Sequence, residues 1–144
     1  MNVERKRILV IDDEPSASTL LQLYFETSST YEVKVENVPA KALAVAEKYE
    51  PDLIFLDLNM PDLSGDELAN HFSASPKLKK VPVVFLTSMV TRDEVSFRGG
   101  MIAGRAFLAK PATRRDVLDC VVQHLGIDAM CRRRMENKEA RNSN

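Results

Sequence analysis

The sequence lacks any apolar run approaching the ~20 residues that span a bilayer, and its start, Met-Asn-Val-Glu-Arg-Lys-Arg, leads directly into a short apolar segment. Neither membrane insertion nor secretion is expected, and the expected location is the cytoplasm. Cysteine is scarce: Cys120 and Cys131 lack metal-ligand spacing, which excludes a cysteine metal site and suits a reducing compartment. Cys120 falls within an apolar helical stripe and reads as a small buried thiol. No charge sign dominates, with 20 basic against 21 acidic residues, so the overall balance points to neither nucleic acid nor membrane. There is no helix-turn-helix segment and no basic face, so direct nucleic-acid binding is not expected.

What is present suffices for one domain, since 144 residues with 44% apolar content can close a single core. Short apolar runs at Ile8 to Ile11, Leu53 to Leu56, Val81 to Leu86 and Ala106 to Ala109 read as buried strands. Tyr31 to Glu36, where Val33 and Val35 alternate with charges, suits an edge strand. Between strands, Ala17, Leu20, Leu21 and Tyr24, then Ala42, Val45, Ala46 and Tyr49, recur at helical spacing. A final helix is predicted over Thr113 to Leu125. Thr113 and Asp116 have capping-box spacing, Val117, Leu118, Val121, Val122 and Leu125 form a stripe, and Gly126 is a stop.

Alternating strands and helices imply right-handed crossovers and parallel pairing. The expected fold is α/β: a doubly wound five-stranded parallel sheet in the flavodoxin-like order 2-1-3-4-5, with helices on both faces. A domain over residues 1–126 is expected to be followed by a charged, partly disordered tail over 127–144. From Ile127 onward the chain holds five basic and three acidic residues, a local +2, which leaves 15 basic and 18 acidic in the body, or −3. The run Arg132, Arg133, Arg134 reads as a solvated tail.

The chemistry-bearing residues fall at strand ends: Asp12 and Asp13 after the first strand, Asp57 at the third, Thr87 at the fourth, Lys110 at the fifth. In a doubly wound sheet these carboxyl ends share one edge, and ligands bind where strand order reverses. Three carboxylates in one place repel each other and either take up protons or recruit a cation. Mg²⁺ suits such a site, with Asp57 and either Asp12 or Asp13 as ligands. A carboxylate can attack a phosphoryl group if the charge on the transferring oxygens is neutralised, so Asp57 is the candidate nucleophile. Lys110 supplies a positive point charge and Thr87 a hydroxyl donor to a phosphoryl oxygen. Singly, each residue has a plainer role: a helix start at Asp13, a turn entry at Asp57, a strand threonine, a loop lysine before a proline whose peptide bond can be cis. In combination and in this order, chemistry is the better account.

The stretches Ile8-Leu-Val-Ile-Asp-Asp-Glu-Pro, Pro51-Asp-Leu-Ile-Phe-Leu-Asp-Leu-Asn-Met-Pro-Asp-Leu-Ser-Gly, Val81-Pro-Val-Val-Phe-Leu-Thr-Ser and Phe107-Leu-Ala-Lys-Pro resemble the response-regulator receiver family of two-component signalling over about Arg7 to Leu125. The resemblance implies that Asp57 takes a phosphoryl group from a histidine kinase or a histidine phosphotransfer protein. It implies Mg²⁺ held by Asp12, Asp13, Asp57 and the backbone carbonyl of Asn59, with Lys110 and Thr87 on the phosphate. It further implies that Thr87 and Phe107 switch, remodelling the face of the fourth helix, fifth strand and fifth helix for an unidentified downstream protein. The expected role is therefore a stand-alone signalling switch rather than an enzyme turning over external substrates, with homodimerisation left open. A regulatory module without chemistry and an aspartyl-phosphate phosphatase are the rivals. The intact acid, hydroxyl and lysine set argues against the first, and short loops leave the second little room for a substrate pocket.

Two departures from the family pattern stand out. Phe97-Arg-Gly-Gly-Met-Ile-Ala-Gly-Arg occupies the place of the fourth helix, where each glycine costs about 1 kcal/mol in a helix interior, so a short, displaced or mobile helix is predicted. Ala112 stands where a bulky apolar residue is usual, so different packing beneath the last helix is predicted. Asn59 and Met89, two residues beyond Asp57 and Thr87, are positions where the resemblance implies an influence on hydrolysis.

Overall fold

The computed structural model describes residues 5–61, 63–89, 101–102 and 105–126, with the backbone alone at Met101 and Ile102. Four runs of near-continuous burial become the central strands β1 (Lys6–Ile11), β3 (Leu53–Asp57), β4 (Val83–Thr87) and, with partial burial, β6 (Arg105–Ala109). β2 (Tyr31–Glu36) lies at the sheet edge, as its alternating pattern predicts, and β5 (Met101–Ile102) is a two-residue strand. The sheet order is β2-β1-β3-β4-β6-β5. The first five positions are parallel, so the predicted order 2-1-3-4-5 holds when β6 is read as the fifth parallel strand.

A short sixth strand is added beside the five expected parallel ones. β5 pairs antiparallel with β6, Met101 opposite Ala106 and Ile102 opposite Arg105. Residues 101–102 fall inside the segment expected to carry the fourth helix and are extended instead. Gly99, Gly100 and Gly104 in the sequence on either side disfavour a helix there. The remainder of the expected helix, like the tail over 127–144, lies outside the described residues.

Alternation along each central strand divides the core in two. Ile8, Val10, Leu53, Phe55, Val84 and Leu86 point to one face, while Leu9, Ile11, Ile54, Leu56 and Phe85 point to the other. Each of these side chains is essentially removed from water, worth about 1.5–3 kcal/mol apiece for the larger ones. α1 (Pro15–Tyr24) and α4 (Arg114–Leu125) cover the first face, and α2 (Ala42–Tyr49) and α3 (Gly65–Ala74) the second.

The local signals explain the helix ends. α4 begins with the predicted capping box: Thr113 Oγ1 accepts the Asp116 amide at 3.1 Å and Asp116 Oδ2 accepts the Thr113 amide at 3.4 Å. Gly126, at φ 79°, ends it. α3, which the periodicity did not single out, is capped by Ser64, whose hydroxyl accepts the Glu67 amide at 3.2 Å. In α1 the expected stripe shifts: Leu21 is buried and Tyr24 packs, but Leu20 is 39% exposed and Ser18 is buried in its stead. A serine fits there because polar partners meet it, as described below.

Candidate functional site

Parallel pairing delivers the ends of β1, β3, β4 and β6 to one edge, and the order reverses between β1 and β3. Asp12 follows the last residue of β1, Asp57 and Thr87 end β3 and β4, and Lys110 follows β6. Asp12, Asp57 and Thr87 are buried, and Asp13 is half-buried. Ligand oxygens of Asp12, Asp13 and Asp57 lie within 4.8 Å of one another. The structure thus brings together the residues that the sequence places about 45 positions apart.

The Asp12 and Asp57 carboxylates are each held by a backbone amide two residues on. Asp12 Oδ1 accepts the Glu14 amide at 2.9 Å, which satisfies an orphan donor at the start of α1. This role was expected of Asp13; Glu14 is the N-cap and makes no side-chain capping bond. Asp57 Oδ1 accepts the Asn59 amide at 3.3 Å. Between the acids stands Lys110, its Nζ 2.7 Å from Asp12 Oδ2 and 3.5 Å from Asp57 Oδ1. Its backbone amide donates to the Thr87 carbonyl at 2.8 Å. The Lys110–Pro111 peptide is cis, as the sequence reading allowed.

The charges are strongly interdependent. Burial, then the adjacent Asp12 carboxylate, pushes the Asp57 carboxyl up from 3.8 to about 6, against the pull of Lys110 and the Asn59 amide. For Lys110, burial acts to lower the value, but Asp12 foremost, with Asp57 and Glu14, outweighs it and holds the ammonium above its ordinary range. One cation therefore faces two buried acids and a third beside them. Among the described residues Asp12 Oδ2 is buried with no hydrogen bond of proper geometry, its contact being the ion pair.

That donor set fits Mg²⁺. All candidate ligands are hard oxygens, one buried oxygen is short of partners, and the 4.8 Å spread is near the ~4 Å between opposite ligands of one ion at 2.0–2.1 Å.

Thr87 Oγ1 accepts the Met89 amide at 3.1 Å and the Asn59 side-chain amide at 3.5 Å. Among the described residues the hydroxyl donates to none. Met89 is 74% exposed at the rim. Phe107 is half-buried on β6, its ring 5.3 Å from that of Phe85 at 32°. Of the expected output face, the strand and the last helix are described, while the fourth-helix segment lies mostly outside the described residues.

A cleft of about 460 Å³ opens beside the site between α1 and the loop after β6, reaching Asp57, Asn59, Leu20 and Ala112. The small Ala112 is buried, and its carbonyl accepts the Tyr24 hydroxyl at 2.8 Å, so a hydrogen bond ties α1 to this loop. Cys120 is buried in the core as expected, and burial pushes its thiol up to about 12.

Two residues important to the site's geometry escaped the sequence reading of roles. Gly65 opens α3 directly against the phosphoacceptor candidate: a Cβ there would stand 2.6 Å from the Asp57 carbonyl oxygen and 2.8 Å from Leu58 Cα. The glycine was visible in the quoted stretch, but only the helix approach reveals why no side chain fits. Asn37, just past β2, donates to the Asp12 carbonyl at 2.7 Å.

Comparison with known proteins gives concordant matches. The family model for the response regulator receiver domain matches residues 8–122. The polar-differentiation response regulator DivK of Brucella anthropi is 25% identical over 122 residues, covering 84% of this chain and 97% of that protein. The alkaline phosphatase synthesis transcriptional regulatory protein PhoP of Bacillus subtilis is 35% identical over 115 residues, 78% of this chain and 45% of PhoP, so the chain spans under half of that relative. Among solved structures, the receiver domain of the sensor histidine kinase PA1611 of Pseudomonas aeruginosa, with a magnesium ion coordinated in its active site cleft, matches with a TM-score of 0.69. It is 25% identical, and the match covers 86% of this chain and 100% of that one. The chemotaxis protein CheY4 of Vibrio cholerae shares the fold, with a TM-score of 0.71 at 24% identity over 84% of this chain and 99% of that one.

Proposed function

We propose a phosphorylation switch for this chain, which belongs to the family of response regulator receiver domains. Asp57 is the phosphoacceptor, and the donor is a phosphohistidine of a histidine kinase or a histidine phosphotransfer protein. A carboxylate oxygen of Asp57 attacks phosphorus, the P–N bond breaks as the P–O bond forms, and the imidazole leaves with a proton. Asp12, Asp13 and Asp57, with the Asn59 backbone carbonyl, hold Mg²⁺, which supplies charge neutralisation on the phosphoryl oxygens when bound. Lys110, already placed between the two buried acids, pairs with a phosphoryl oxygen, and the Thr87 hydroxyl donates to another.

The reading is carried above all by Lys110 reaching both Asp12 and Asp57 beside a third carboxylate. A purely structural lysine requires one acid, and three mutually repelling acids have no structural advantage. The output is a change around Thr87 and Phe107 read by another protein, with Phe107 repacking against Phe85. Turnover of external substrates is not expected, and the cytoplasm is the expected location. Among the described residues no helix is long and apolar enough to cross a membrane.

The test is incubation with a small acyl phosphate or phosphoramidate and Mg²⁺, followed by intact mass. A gain of one phosphoryl group that disappears with chelation and with Asp57→Asn is expected. No gain from any donor at saturating Mg²⁺ would remove the phosphorylation reading and leave a binding-only module.

A further inference from the structure

We propose that Asn37 is a positioning residue for the divalent-cation site, acting through the Asp12–Asp13 peptide; the inference rests on the reading that Asp12, Asp13 and Asp57 hold the cation. The chain around Asn37 is built to present it. β2 ends at Glu36, and Val38, ahead of Pro39, is extended at φ −108° and ψ 106°, as a residue before proline must be. The Val38 amide is held by Glu36 Oε2 at 3.0 Å, and the Val38 carbonyl accepts the Lys41 amide at 3.0 Å. Asn37 is thereby kept out of the following turn and facing the end of β1.

From there both backbone polar groups of Asp12 are held by consecutive residues of one neighbouring strand exit. The Asp12 amide donates to the Glu36 carbonyl at 3.2 Å, and the Asp12 carbonyl accepts from Asn37 Nδ2 at 2.7 Å. The same Nδ2 donates to the Ser18 hydroxyl at 2.9 Å, and Ser18 in turn donates to the Pro15 carbonyl at 3.1 Å. Ser18 is buried, which explains why a serine and not Leu20 occupies the inner side of α1. The carbonyl that Asn37 grips belongs to the peptide joining Asp12 to Asp13, so rotation of that peptide would swing the Asp13 carboxylate and tilt that of Asp12. Side chains that orient metal ligands from behind typically matter about 10- to 100-fold in metal affinity.

Calorimetric titration of Mg²⁺ into the full chain tests this, with Asn37→Ala, Asn37→Leu and Asp13→Asn compared with the parent. Expected are loss of binding in Asp13→Asn and an affinity about ten-fold weaker in both Asn37 variants. In the metal-free Asn37 variants, faster hydrogen exchange is expected at the Glu14 amide, which Asp12 Oδ1 holds in the parent. The Mg²⁺ concentration giving half-maximal phosphorylation by a small donor should rise by the same factor, with the rate at saturating Mg²⁺ retained. Folded Asn37 variants that keep the parent Mg²⁺ affinity would overturn the proposal, even if their urea midpoints fall, because that is the signature of a packing role alone. Should both Asn37 variants fail to fold, Ser18→Ala decides, since an unchanged affinity there overturns the proposal and a weaker one supports it. A parent chain that binds no Mg²⁺ would instead sink the underlying cation reading, an outcome distinct from either.

Discussion

Asp57→Asn should stabilise the metal-free protein. The Asp57 side chain is 5% exposed, and its carboxyl titrates near 6 instead of 3.8 because burial and then Asp12 disfavour its charge. A raised value in the folded state means that folding favours the neutral form. Below pH 3.8 the group is neutral in both states and costs nothing. Between 3.8 and about 6 the unfolded chain ionises first, so stability falls as pH rises, and above 6 the full cost is present. At about 1.4 kcal/mol per pH unit the gap amounts to about 3 kcal/mol, which the asparagine variant avoids. Urea unfolding followed by circular dichroism, chosen because the chain has no tryptophan, should show the variant ahead by about 3 kcal/mol at pH 7 with chelator. The difference should vanish near pH 4. Mg²⁺ should stabilise the parent, by about 2.7 kcal/mol at a hundred times its dissociation constant, and the variant little, closing the gap. A variant equal to or weaker than the parent at pH 7 without metal, or an advantage that persists unchanged at pH 4, would refute the electrostatic reasoning.

The opposite sign is expected for Lys110→Met, which leaves the buried Asp12 carboxylate without its 2.7 Å partner and should cost about 3–5 kcal/mol at neutral pH by urea unfolding. Gly65→Ala should cost about 1–3 kcal/mol and slow phosphorylation by a small donor, because the new methyl meets the Asp57 and Leu58 backbone; unchanged kinetics and stability would show that α3 can slide away. Tyr24→Phe, deleting the 2.8 Å bond to the Ala112 carbonyl, should lower stability by about 1 kcal/mol in the same unfolding assay. In a Cys131→Ser background, Cys120 should resist a thiol reagent in the native state and react in urea, given its burial and a thiol pushed up to about 12.

The parallel sheet was legible because strands buried on both faces become continuous apolar runs, and Ile8 to Ile11 or Leu53 to Leu56 admit little else. The site was legible for a topological reason: once strands are parallel, residues at their carboxyl ends must meet, so Asp12, Asp57, Thr87 and Lys110 could be assembled without coordinates. Local capping chemistry predicted α4 to its last residue. The same signal at Ser64 and Glu67 marks α3, but the turn-rich stretch after Asp57 hid it. Other features depend on distances between remote backbones and leave no pattern to read. Leu20 and Ser18 differ in burial because of Asn37, nineteen positions away from Ser18; the strand at Met101–Ile102 depends on the open edge of β6. Gly65 is required by where α3 lands, which no spacing rule specifies.

The antiparallel β5 has a colloidal consequence. A parallel sheet of this kind has two flanks able to template further strands, and here Met101 and Ile102 close part of one of them. The other flank is β2, where Glu32, Lys34 and Glu36 interrupt the apolar residues. Charges spaced in this way make a neighbouring chain desolvate them before it can add on. Concentrated solutions should therefore resist fibrous growth, and removing those three charges would be the direct way to invite it.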